Sequence, residues 1–148
     1  MKRKVLFAAL FASLATLSAT QAFARDTVDN YPIAPALQSE PGKVSDDVAL
    51  YFAGQPHPGV LKKMGEFATN KKTNAFGKSD LEACQHVFLS AVIELQERAR
   101  KEGGNAVINI KSNYKNEVRE SATEFTCGAG AVIAGVALTG EVVTLRGK

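Results

Sequence analysis

The chain is poor in the side chains that build reactive centres. Its 148 residues include two cysteines and two histidines. A tetrahedral zinc site made from them fails on spacing. Cys84 and His86 are two apart on a predicted helix, roughly 200° apart around its axis, and cannot meet at one ion. His86 reads instead as a partly exposed helix residue. His57 stands between Pro56 and Pro58 in "GQPHPG", on a rigid turn where it is either a polar loop tip or a ligand or general base. No nucleophile or orienting carboxylate accompanies it in the sequence, and neither G-x-S-x-G nor H-E-x-x-H occurs. No catalytic residue, metal site or cofactor is expected.

A phosphate-binding loop is missing as well. "AFGKSDLEAC", residues 75–84, contains Gly-Lys-Ser, but Lys72 occupies the position where the first glycine of the motif must stand. Without that glycine the backbone N–H groups cannot curl round the phosphates. "GAGAVIAG" fails the dinucleotide pattern, with Ile133 at the third glycine position. ATP is therefore not an expected partner. Ser79 followed by Glu82 ahead of an apolar-periodic run reads better as a capping box that starts a helix.

An excess of positive charge is also absent once the start of the chain is set aside. Residues 1–24 read as a secretory leader: Lys2, Arg3 and Lys4, then the apolar run "VLFAALFASLATL", then "AFA" as a small-x-small cleavage site. Cleavage would leave a mature chain starting at Arg25. Three of the 18 basic residues lie in the leader, leaving 15 against 15 acidic residues. That balance, with no Lys/Arg stripe interleaved with aromatics, speaks against nucleic acid. No cysteine lies at the cleavage point for lipid attachment, and both apolar runs, in the leader and at residues 128–140, fall short of the roughly 20 residues of a membrane helix. The expectation is a periplasmic protein with no membrane anchor in the mature chain.

What remains is enough for one ordinary domain. Residues 25–46, rich in Pro, Asp and Ser, predict a loosely packed N-terminal arm, and residues 47–148 a single α+β domain. Strands are expected at 47–53, 60–69, 105–111, 118–127 and 135–145, with Ala106, Ile108 and Ile110 sharing one face and a bulge at Gly140 resetting the last strand. Between the second and third, Leu81, Cys84, Phe88, Ala91, Leu95 and Ala99 recur at spacings of three and four, which predicts a helix over 80–102 ended by Gly103 and Gly104. Glu94 to Arg98 and Glu97 to Lys101 are candidate i,i+4 pairs along it. The predicted fold is one long amphipathic helix packed on a largely antiparallel sheet of about four to five strands.

Cys84 lies on the apolar stripe of that helix and Cys127 shares the inward phase of Phe125, so in an oxidising compartment a disulfide between them is the expected pairing. Closing a loop of about 44 residues would contribute roughly 4 kcal/mol. Two buried free thiols are the alternative.

"AVIELQERARKEGGNAVINI", with "VLKKMGEFATNKKT" before it and "GVALTGEVVTL" after it, resembles the YbjQ-like family over residues 60–146. A comparable domain occurs in the envelope-stress lipoprotein RcsF, which has four cysteines and a lipid anchor where this chain has two cysteines and none. The whole chain, through "LYFAGQPHP", "ACQHVFLSAVIELQERA" and "TEFTCGAG", is similar to small exported bacterial proteins labelled "excinuclease ATPase subunit". That label implies a nucleotide site for which the chain lacks the P-loop. The resemblance implies fold and compartment and supplies no catalytic residue. The expected function is a non-enzymatic interaction or envelope-sensing module, its partner a second copy or an envelope protein. The rival is a small-ligand or metal-ion binder using the turn of Pro56, His57 and Pro58.

Overall fold

A computed structural model describes residues 26–147. The predicted leader and its cleavage site lie outside the described residues. The architecture is α+β, with a seven-stranded sheet rather than the four or five strands expected. The strands are β1 (Asp26–Pro32), β2 (Ala49–Phe52), β3 (Val60–Asn74), β4 (Ala106–Tyr114), β5 (Glu117–Arg119), β6 (Glu124–Gly130) and β7 (Ile133–Leu145). The helices are α1 (Ile33–Gln38) and α2 (Asp80–Glu102). Two differences account for the larger sheet. Residues 26–38, expected to pack loosely, supply β1 and the short α1. The single strand predicted over 118–127 is divided into β5 and β6.

The sheet is organised on β7. One of its sides pairs along its whole length with β3, from Val60↔Leu145 to Asn74↔Ile133. Its other side is shared. β4 takes the second half, from Ala106↔Val143 to Ser112↔Leu138, and β6 takes the first, at Gly128↔Gly135 and Ala129↔Ala134. Where β4 and β6 diverge, the Ser112 hydroxyl accepts a hydrogen bond from the Thr126 N–H at 2.9 Å, replacing the ladder bond lost at the fork. β1 extends the sheet beyond β6, antiparallel to it, and β2 runs parallel to β4.

α2 forms as the sequence predicts, and its ends show why. The Ser79 hydroxyl accepts from the Glu82 N–H at 3.1 Å, and Gly103 ends the helix in the left-handed conformation with φ 80°. Cys84, Phe88, Ala91, Leu95 and Ala99 are fully buried against Val136, Leu138 and Val142 of β7, whereas Leu81, in the first turn, is 47% exposed. The expected i,i+4 pairs are replaced by others. Arg98 binds Glu102 at 2.9 Å and lays its guanidinium over the Phe67 ring, and Glu94 reaches across to Lys71 of β3 at 2.7 Å.

The bulge lies in β4, opposite the glycine that was expected to carry it. Ile108 pairs with Glu141 and Lys111 with Thr139, so Asn109 and Ile110 together face Gly140. Asn109 adopts φ 50°, a left-handed value that asparagine tolerates better than most residues. The shift sends Val107 and Ile110 to the α2 side and leaves Ala106 and Ile108 on the other, in place of the shared face predicted for Ala106, Ile108 and Ile110. Gly140 is needed for close approach: a Cβ there would meet Val107 Cγ1 at 2.6 Å.

The segment between α1 and β2 is tied onto α2 by polar contacts. Gln96 is buried on the helix, donates to the carbonyls of Ser45 and Val48 at 2.7 and 2.8 Å and accepts from the Ser45 N–H at 3.2 Å. Its amide is thus satisfied within the core, as burial demands. Arg100 makes a two-pronged contact with Asp47, at 2.6 and 2.8 Å.

Candidate functional site

The two cysteines are joined. The Cys84–Cys127 sulfurs are 2.09 Å apart, and both residues have no exposed surface. They belong to the same core cluster as a column of rings: Phe52 and Phe88 centroids lie 5.9 Å apart, Phe88 and Phe125 4.0 Å, Phe125 and Tyr31 5.9 Å. A bond so enclosed is out of reach of an attacking thiolate while the fold is intact, which makes it structural.

The turn of Pro56, His57 and Pro58 is built from its own side chains. Gln55 accepts from the Phe52 N–H at 2.9 Å and donates to the Ala122 carbonyl at 2.8 Å, which fixes the start of the turn. The His57 ring leans on Tyr51, centroids 5.7 Å apart, and its Nδ1 lies 2.8 Å from the Pro58 carbonyl oxygen. This turn closes over a small apolar cluster of Ala106, Ile108, Val143 and Leu145 on the sheet face away from α2. The adjoining cavity, lined by Tyr51, Pro58, Asn105 and Arg146 among others, measures about 30 Å³, space for about one water molecule. His86, the other histidine, is exposed on α2 and hydrogen-bonds Glu40. The two histidines lie on different parts of the surface, and among the described residues no three His, Cys, Asp or Glu side chains gather as metal ligands would.

A larger feature, which sequence reasoning missed, lies further along that same face. After Tyr114 the chain turns through Lys115 and Asn116, with φ 53° and 62°, and returns as β5. Positive φ at both central residues is the two-residue hairpin geometry. The Tyr114 ring lies flat on the glycines of β6 and β7: a Cβ at Gly128 would fall 1.9 Å from the Tyr114 hydroxyl oxygen, and one at Gly135 would be 3.6 Å from the ring. On either side of the ring is a hollow. One, of about 300 Å³, is lined by Asp26, Asn70, Lys72, Lys115, Gly128 and Gly135 among others. The other, of about 340 Å³, lies between β1 and β5, with Val28, Asp29, Asn30, Arg119 and Thr126 in its walls. There the Asn30 amide donates to the Thr126 hydroxyl at 2.9 Å and its oxygen accepts from Arg119 at 3.0 and 3.3 Å. The signal in the sequence is "NYKNE", a hairpin turn without glycine, together with "GAG" and "AGV", whose small residues leave room for a ring.

The electrostatic perturbation that stands out is away from this face. The Arg100 guanidinium, and then the Ser45 hydroxyl, hold the Asp47 carboxyl well below the usual carboxylate range. Compared with known proteins, the chain matches no family model, no curated protein and no solved structure.

Proposed function

We propose that the chain is an exported, non-catalytic recognition module of the bacterial envelope, of the YbjQ-like and RcsF-like kind, and that the sheet face bearing Tyr114 is its binding surface. The observation that carries this reading is the pair of hollows on either side of Tyr114. An aromatic ring on a floor of glycines, ringed by Asn30, Asn70, Lys72 and Arg119, offers stacking and hydrogen bonding without a group placed for bond making. The enclosed disulfide accords with an oxidising compartment. The β3 edge supports an envelope component over self-association through that strand: Lys62, Lys63, Lys71 and Lys72 stud it, and its register shifts between Val60 and Lys62 and between Lys63 and Gly65. Charged and irregular edges resist strand pairing.

Native mass spectrometry of protein recovered from the periplasm tests this. The expected result is a retained envelope component that is lost in Tyr114→Ala. A component lost in His57→Ala but kept in Tyr114→Ala would move the site to the proline-flanked turn. That second reading, a small-ligand or metal-ion binder, is favoured by one observation: with Nδ1 turned to the Pro58 carbonyl, Nε2 is the nitrogen left to meet a ligand.

A further inference from the structure

We propose that the hollow between Tyr114 and β3 takes an acidic saccharide, one sugar ring bearing a single carboxylate. This rests on the reading of the Tyr114 face as the binding surface and names the ligand class for it. The hollow, of about 300 Å³, has room for one sugar ring and its substituents, at the small end of ligand sites. Its floor is bare backbone, with Gly128 paired to Gly135 and Ala137 next on the same face of β7. Asn70 and Lys72, alternate residues of β3, pair with Ala137 and Gly135 and stand on that face. Tyr114 and Lys115 of the hairpin form the opposite wall, and Asp26 closes one end from the start of β1, where it pairs with Gly130.

The polar groups of these walls are unengaged. Among the described residues the Asp26 carboxylate, the Asn70 amide, the Lys72 ammonium and the Tyr114 hydroxyl have no hydrogen bond or ion pair, and Lys115 Nζ has only the Tyr114 ring, 5.6 Å from its centroid. A ligand entering the hollow breaks no internal contact to reach them. In the hollow on the other side of the ring, Asn30, Thr126 and Arg119 already satisfy one another.

The set of groups selects the ligand. A carboxylate only accepts, ammonium groups only donate, and an amide and a phenol do both. The hydroxyls of a sugar also do both, so one ring can meet all of them. Two lysines against one aspartate leave one positive charge, which a single carboxylate on the sugar balances. Other classes meet the wrong surface. An extended peptide needs an open strand edge, and the floor strands are already paired with one another. A nucleobase needs an open ring face to stack on, whereas the Tyr114 ring lies on glycines and has Lys115 over it. An acyl chain would strip water from these polar groups without replacing its hydrogen bonds.

Titration of the isotope-labelled protein with glucuronic acid, followed by amide chemical shifts, tests the assignment. The resonances of Asn70, Gly128 and Gly135 should move. Glucose should bind about tenfold more weakly, and trialanine should leave them in place. Lys72→Met/Lys115→Met, which keeps the aliphatic stems and removes the charges, should bring glucuronic acid down to the level of glucose. Gly135→Ala is the second variant. A Cβ there would meet the Lys71 carbonyl oxygen and Tyr114 Cε2 at 3.6 Å, ordinary contact, so the fold accepts a methyl group that raises the floor of the hollow. Its thermal midpoint should not fall below that of the parent, while its affinity for glucuronic acid should drop. Failure of glucuronic acid to move these resonances overturns the saccharide assignment, as does equal binding by glucose or by the double methionine variant. If a component retained by the native protein is then still lost in Tyr114→Ala, the binding surface stands and the saccharide falls. Glucuronic acid shifts that persist unchanged in Tyr114→Ala overturn both.

Discussion

The two faces of β7 are made from alternate residues of one strand and have opposite characters. Ala134, Val136, Leu138 and Val142 face α2 and are closed off by the disulfide and the column of rings. Gly135 and Ala137 face the other way, beneath or beside Tyr114, with open hollows around it. Side chains large enough to fill space give one face its stability. Side chains too small to fill it leave the other face free to receive something. A period of two lets one strand serve both, because neighbouring residues never share a face.

Removing the disulfide is the strongest way to break that division. Cys84→Ala/Cys127→Ala should lower stability by roughly 2–5 kcal/mol, read as a lower urea midpoint. In the fraction still folded, the Tyr114 resonances should keep their positions, since the bond lies on the opposite face. Peptide mapping without reduction should recover the linked pair, and dithiothreitol should leave it closed in the native protein.

A change beneath Tyr114 should act the other way. Gly128→Ala puts a methyl group where the tyrosine hydroxyl now lies, and the half-buried ring must lift away. The expected loss of stability is about 1–2 kcal/mol, with large chemical-shift changes confined to the Tyr114 hairpin and the β1–β6 pair. If the core resonances around Phe88 move equally, the two faces are coupled and the division fails.

The smallest effect concerns the segment that covers α2. Asp47 has its carboxyl pKa depressed by Arg100, so its contribution is present above the unfolded value of about 4 and fades as pH falls through the lower folded value. Asp47→Asn should therefore be slightly less stable than the parent at pH 7, and the gap should begin to narrow by pH 3 without closing, because the folded carboxyl is still ionised there. Urea midpoints at pH 7 and pH 3 measure this. Both side chains are substantially exposed, which keeps the difference small.

The covered face was legible in the sequence and the open face was not. α2 could be read because burial along one side imposes a 3.6-residue period over 23 residues and because serine and glycine mark its ends. The disulfide followed from the phase of Cys84 and Cys127. β1 could not be read, since an edge strand with most side chains in water imposes no alternation on "DTVDNYP". Leu81 fits the apolar stripe but lies beyond the part of α2 that the sheet covers. Gly140 was expected to carry a bulge that resets the last strand, but β7 pairs through it with β3 without a shift, and the bulge is in β4. That Asn109, across from Gly140, would take the extra residue depended on the packing of Val107 and Ile110 against Leu95, which no local pattern records. Tyr114 was invisible for the same reason: its site is a vacancy left by two glycines distant in sequence.

The position of β7 bears on the order in which the protein takes shape. It follows β3, β4 and β6 in the chain, and all three form ladders with it. Until it arrives, β3 has no strand partner and β4 and β6 have no common base, so earlier segments cannot commit to the final sheet. Pairings that span so much of the chain form slowly and late. For a polypeptide exported as proposed, that delay is useful. A chain whose keystone strand follows the strands it joins remains threadable through a translocation pore until that strand has passed.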